Sequence, residues 1–247
     1  MKNKLCLGLL ATVFGAYLLR RLGMRWGATD DEVHRPLPGD DLVPHPMLET
    51  THAISIDASR ADIWPWLVQM GYDRGWWYTD VRWYQWVDKY IWHTSHPVSP
   101  DHIIPELQQL EVGDTVLDGP PGTAFFTVAT LEPDHVLALF STTHILFMAP
   151  ASLRNNPKVG LRGEFSWVFI LDEKEEGMTK LIVRTRASYK PKMFRMLTRP
   201  MLFPADFLMA RLMLQTIKQR VEGSCTKVPE WVEGMTLHQV QQDKSLV

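Results

Sequence analysis

The titratable side chains best spaced for chemistry lie just past the first third of the chain. His93, His96 and His102 fall within ten residues, beside Asp101 and Glu106. Histidine titrates near neutrality and can relay a proton, and a neighbouring carboxyl group can share that work. As metal ligands the three are poorly set. The spacing H-x2-H-x5-H matches no common zinc pattern, and Pro97 and Pro100 prevent a helix from aligning the rings. An exposed loop is expected rather than a metal site, and no cofactor is expected. If that loop covers the mouth of a cavity, His102 and Glu106 become acid and base candidates, with Tyr78 as a third.

A second feature is aromatic. Seven of the ten tryptophans and four of the six tyrosines lie between Trp64 and Trp92. Indole and phenol rings bury large areas at low rotamer cost and carry a polar tip, which suits them to the walls of a pocket and equally to a well-filled core. Asp73, Arg74, Asp80 and Arg82 flank the Gly75-Trp76-Trp77-Tyr78 loop. Charges beside indoles can orient a polar ligand head, or simply form a solvated loop. Further on, Arg184 and Arg186 alternate with Val183 and Thr185, while Phe165, Trp167 and Phe169 mark the apolar face of the preceding segment. The arginines therefore face away from those rings. A hairpin turn centred near Gly177 sets Ser166 opposite Arg184 and Glu164 opposite Arg186, a structural cross-strand charge pair rather than a catalytic one.

Several chemistries are excluded. The chain has no nucleophile elbow, Ser/His/Asp order, Walker loop or G-x-G-x-x-G, and Gly119-Pro120-Pro121-Gly122 is a turn rather than a phosphate cradle. A formal net charge of -2 and the lack of a basic tract in the body argue against nucleic acid as a partner. Cys6 and Cys225 stand too far apart in character and position to suggest a bridge or a metal site.

The elements that must position these residues follow from periodicity. His52 to Asp57 alternates as a strand, and Ser59 with Asp62 forms a capping box ahead of a helix from Arg60 to Met70 that Gly71 ends and Pro65 should bend. A second short helix is expected from Asp80 to Trp92. From Gly113 the period becomes two, with strands at Asp114 to Leu117, Thr123 to Leu131, His135 to Thr143, Glu164 to Asp172 and Thr179 to Tyr189. Their short connections imply an antiparallel meander. Phe203, Phe207, Ala210, Leu214, Ile217 and Val221 then mark one face of a long helix that stops at Gly223.

The ends divide the chain. Leu5 to Leu19 is uncharged and flanked by basic residues, which reads as an uncleaved membrane anchor within residues 1–27. As a helix this run spans about 22 Å against a hydrocarbon core of roughly 30 Å, a gap that snorkelling Lys4 and Arg20 and an interfacial Trp26 can narrow. The charge bias weakly places the folded part in the cytoplasm. Residues 28–50, rich in Pro and Asp, read as an extended linker. Residues 51–223 form the folded domain, and residues 224–247 a polar tail.

A strand, two short helices, an antiparallel run and a long C-terminal helix is the element order of the α+β helix-grip fold. Ile56-Asp57-Ala58, Ile63-Trp64-Pro65-Trp66-Leu67-Val68-Gln69-Met70-Gly71, Gly75-Trp76-Trp77-Tyr78, His102-Ile103-Ile104-Pro105-Glu106-Leu107-Gln108, Val112-Gly113-Asp114 and Phe207-Leu208-Met209 occur in order. Together they resemble the START-like (SRPBCC) superfamily, in its bacterial branch of polyketide cyclase and lipid-transport-like proteins, over residues 50–223. The resemblance implies an apolar cavity between sheet and last helix, suited to a lipid, polyketide or other hydrophobic small molecule. Trp64, Trp77, Trp83, Trp167, Phe207 and Leu214 are then the wall candidates. Trp76 stands where that branch carries a small residue. Three functions follow as expectations: binding of such a molecule at a membrane; a cyclase- or dehydratase-like enzyme using Glu106, His102 or Tyr78; and an aromatic docking surface.

Overall fold

The computed structural model describes residues 23–79, 98–147, 149–175, 177–191 and 194–223. The expected anchor at 5–19, the helix from Asp80 to Trp92 and the polar tail lie outside these residues. No helix among the described residues is long and apolar enough to cross a membrane.

The chain is α+β. Six strands, β1 (Leu48–Ile56), β2 (Thr115–Leu117), β3 (Phe125–Glu132), β4 (Val136–Ser141), β5 (Arg162–Glu175) and β6 (Met178–Lys190), form one sheet in the order β1-β6-β5-β4-β3-β2. Every pairing is antiparallel. Helices α1 (Asp30–His34), α2 (Arg60–Val68), α3 (His144–Phe147), α4 (Ala151–Arg154) and α5 (Phe194–Val221) complete the fold. Strands and long helix thus appear in the order that the hydrophobic periods require. Ser59 caps α2 through the expected reciprocal pair with Asp62, and the helix runs through Pro65.

Because side chains alternate along a strand, the sheet has two separately dedicated faces. One carries Phe165, Trp167, Phe169, Leu181 and Val183 and packs on α2 and on Met213, Leu214 and Ile217 of α5. We call it the helix face. On the other, Val136, Ala138, Val168, Ile170 and Ile182 pack under Leu37, Ala28 and Leu42. That second layer corrects the expectation of an extended linker at 28–50. Thr29 caps α1 with a complete Thr29/Glu32 box, the Asp40 carboxylate accepts from the Leu37 amide at 3.0 Å, and Leu37 and Val43 are buried. The prolines and aspartates turn a packed strap rather than solvate a free chain. Gly39, at φ 80°, is where the strap comes closest: a Cβ there would meet Val168 Cγ2 at 2.8 Å.

The strap also explains the arginines. Arg184 and Arg186 do face away from the aromatic rings, but Ser166 pairs with Arg186, Val168 with Arg184 and Glu164 with Ser188. The expected register is off by two residues, because the turn is tighter, with Glu175 opposite Met178, and a bulge at Glu173/Glu175 takes up a residue. An even slip preserves facing and changes partners. Arg184, 2% exposed, donates to Asp40 Oδ2 at 2.9 Å, to Thr51 Oγ1 at 3.2 Å and to the carbonyls of Glu32, Val33 and Arg35. Arg186 pairs with Glu49 at 2.8 Å, rather than with Glu164.

Candidate functional site

The loop between α2 and residue 79 sets an indole into the middle of the protein. Gly71 and Trp76 bridge through paired backbone hydrogen bonds, and a Cβ on Gly75 would lie 2.7 Å from the Gln69 carbonyl. Trp76 (φ 63°) and Tyr78 (φ 56°) both occupy the left-handed region, unusual for aromatic residues and sustained only by the surrounding contacts. Gln69 supplies several of them. Fully buried, it donates through Nε2 to the Tyr78 hydroxyl at 2.9 Å and to the His102 carbonyl at 3.2 Å, and accepts through Oε1 from the Ile104 amide at 3.0 Å. One amide side chain thus ties the tryptophan loop to the segment 102–108.

The result is an aromatic wall on the helix face. Trp77 lies 5.3 Å from Trp167, ring centre to ring centre, and Phe126 lies 5.8 Å from Trp77 and 6.1 Å from Trp167. Both indoles are buried, and neither Nε1 has a hydrogen-bond partner. A third orphan stands beside them. Thr185 pairs directly with Trp167 across β5 and β6, is fully buried, and leaves its Oγ1 without a partner. Next in the same row, Thr50 of β1 lies opposite Thr185 and donates to Asp206 Oδ2 of α5 at 2.7 Å. His52, fully buried, sets its Nε2 at 3.2 Å from the same oxygen, and its Nδ1 has no partner. Each buried polar group left unsatisfied costs about 1–3 kcal/mol. Four on one face, Trp167 and Thr185 in one row, His52 in the next and Trp77 packed against them from the loop, form a pattern that asks for a polar guest.

One more titratable pair borders the wall. Asp118 follows β2 and His144 opens α3, and His144 Nδ1 lies 2.5 Å from Asp118 Oδ2. The imidazole packs on Phe165, 4.2 Å between ring centres, and on Phe126 at 5.4 Å. Ser141 accepts the His144 amide at 2.9 Å, fixing the start of the helix. Beneath it, a Cβ on Gly163 would come within 2.5 Å of Ile145, so α3 seats directly on β5.

The residues singled out from sequence fall into distinct places. Trp77 and Trp167 are brought together at the centre, with Leu214 fully buried in the same core. Trp64 sits at the margin of that core, and Phe207 is half-buried near His52 at 6.1 Å. Trp83, His93 and His96 lie outside the described residues. His102 and Glu106 are exposed, and His102 meets Asp101 at 3.0 Å, a hydrogen bond that holds the Asp101 carboxyl below its ordinary range. Tyr78, expected at a cavity mouth, is instead fully buried. Its hydroxyl donates to the Trp66 carbonyl at 3.0 Å while accepting from Gln69. Among the described residues no cluster of three or more His, Cys, Asp or Glu could hold a metal ion. Sequence reasoning missed Thr185, His52, Asp206, Asp118 and His144. The only signal for Thr185 was its strand parity, and Asp118 and His144 are 26 residues apart in chain order.

No family model matches the chain, and no curated protein is significantly similar to it. Among solved structures, protein MLL2253 from Mesorhizobium loti is 13% identical with a TM-score of 0.38, over 71% of this chain and 99% of its own. The Aha1 dimer from Colwellia psychrerythraea is 19% identical with a TM-score of 0.33, over 67% of this chain and 93% of that one. CalU16 from Micromonospora echinospora is 14% identical with a TM-score of 0.29, over 71% and 84%. At such values the chemistry of the site has to be read from this chain's own residues.

Proposed function

We propose that this chain is a membrane-tethered helix-grip protein of the START-like type. Its interior, between the helix face and α5, binds a hydrophobic small molecule or lipid carrying a hydrogen-bonding group. The observation that carries this reading is the pair of buried indoles, Trp77 and Trp167, whose N–H groups have no acceptor, with the orphan hydroxyl of Thr185 beside them. An apolar wall alone would be served by Phe and Leu; donors without acceptors are served by a carbonyl, ester or carboxylate oxygen on a guest. Burying about 300 Å² of apolar ligand surface yields about 7–8 kcal/mol before ordering costs, enough for micromolar affinity with no charge partner. The uncharged run at 5–19 supplies the tether, with the folded part on the cytoplasmic side.

Native mass spectrometry with lipid extraction on the full-length protein tests the binding. A co-purified hydrophobic molecule is expected. Protein that is empty, with tryptophan fluorescence unmoved by fatty acids, phospholipids and aromatic polyketides, overturns the reading. Fractionation tests the tether, since full-length protein recovered without detergent removes it.

A further inference from the structure

We infer that Asp118 and His144 form a general-base pair that acts on the carbonyl of a hydrophobic acyl ester held against the aromatic wall. The inference rests on the binding reading above. An ionised carboxylate can only accept, so Asp118 Oδ2 at 2.5 Å places the imidazole proton on Nδ1 and leaves the lone pair on Nε2. Nε2 makes no hydrogen bond among the described residues. The pairing occupies Nδ1 alone, so among the described residues Nε2 stays available, on a ring packed into the same wall as the two orphan indoles. Phe126 touches all three rings, 5.4 Å from His144, 5.8 Å from Trp77 and 6.1 Å from Trp167.

The placement is built rather than incidental. The side chains of Asp118 and His144 are 12% and 18% exposed, so the pair is mostly shielded. The Asp118 amide is held by the Ala124 carbonyl at 3.0 Å, and Ser141 accepts the amide of His144. Gly163 admits α3 against β5 where any larger residue would lift it.

The step uses water as co-reactant. His144 Nε2 takes a proton from a water molecule as the water oxygen bonds to the ester carbonyl carbon, and the carbonyl electron pair moves onto oxygen. The indole N–H groups, which lack acceptors, are the donors such an oxyanion would use. The tetrahedral adduct collapses, the carbon–oxygen bond to the leaving alcohol breaks, and the imidazolium returns its proton to that alkoxide. Asp118 holds the tautomer and steadies the imidazolium.

The probes are para-nitrophenyl octanoate and para-nitrophenyl acetate, with the full chain in detergent. The variants are His144→Asn, whose amide nitrogen can still donate to Asp118 but which has no base, and Asp118→Asn. Wild-type protein is expected to hydrolyse the octanoate faster than the acetate, and the octanoate to quench tryptophan fluorescence. His144→Asn is expected to lose about a hundredfold in kcat with its melting temperature and the quenching retained, and Asp118→Asn to lose at least tenfold with KM unchanged. Quenching retained with no hydrolysis, or with hydrolysis equal in His144→Asn and wild type, overturns the base assignment alone. Absent quenching, with neither ester preferred, overturns the binding reading and this inference with it.

Discussion

The two faces of the sheet differ in how they treat buried polar groups: the strap face sets most of them against charged partners, and the helix face does not. On the strap face, Arg184 spends its guanidinium on Asp40, Thr51 and three backbone carbonyls, and Lys180 meets Glu32 at 2.6 Å. Three atoms are exceptions there: Ser166 Oγ has no partner, while Asp40 Oδ1 and Arg35 Nε lack a hydrogen bond but face an opposite charge, Arg186 at 3.6 Å and Asp31 at 3.7 Å. On the helix face, Trp77, Trp167, Thr185 and His52 all keep a buried polar atom without a partner. Both faces carry buried residues and are built from alternate positions of the same strands. A face that exists to hold the fold together satisfies its polar atoms internally, and one that leaves them open forgoes stability at places where a guest can restore it.

The contrast can be broken most severely on the strap face. Arg184→Met leaves an acceptor carboxylate and carbonyls buried without their donor, and a loss of about 3–5 kcal/mol in urea unfolding is expected, with amide exchange accelerated over residues 30–43. Equal stability would mean that the strap holds on through its apolar contacts alone.

Trp167→Phe removes one open donor from the helix face. About a tenfold loss of affinity for the molecule identified by mass spectrometry is expected in fluorescence titration, with stability changed by less than about 2 kcal/mol. A stability loss without an affinity loss would make the indole mere packing.

Two threonines sharpen the comparison further, because the same substitution is read on opposite faces. Thr51 accepts from Arg184, so Thr51→Val is expected to cost about 1 kcal/mol. Thr185 has no partner, so Thr185→Val should be neutral or stabilising by up to about 1 kcal/mol while weakening the ligand. Urea midpoints for the two, side by side, decide it.

The smallest effect is on acid stability. Burial by itself would raise the Glu32 carboxyl, but the hydrogen bond from Lys180, those from Thr29 and the Lys180 charge outweigh it, and the group lies below its ordinary 4.5. A carboxyl lowered in the folded state contributes fully above that value and loses the contribution as pH falls through the lowered one. The strap should therefore loosen as pH drops below about 4.5, and Glu32→Gln should flatten that slope in acid titrations followed by amide exchange.

How much of this was legible depends on the range of each interaction. The six strands, the Ser59/Asp62 cap and the long helix could be read because each is specified by neighbours in the chain, through alternation or a three-to-four spacing. The turning of Arg184 and Arg186 away from Phe165 and Trp167 followed from parity alone. Their partners did not, because the turn closed tightly at Glu175 and Met178 and a bulge at Glu173/Glu175 took up one residue, a net slip of two. Residues 28–50 looked like a linker because Pro and Asp are as common in turns of a docked segment as in free chain, and composition does not say what lies underneath.

Trp77 and Trp167 could be nominated from sequence as wall residues, but their adjacency and the empty donors at both tips could not. What the sequence determined by itself is the local periodicity, and through it the elements and the side on which each residue falls. Only the tertiary structure decided which distant residues share a face, as with Asp118 and His144 or Thr50 and Asp206, and which buried polar atoms are satisfied. Hydrogen-bond satisfaction is a property of the assembled interior, fixed by distances of a few tenths of an ångström between residues that no local pattern relates.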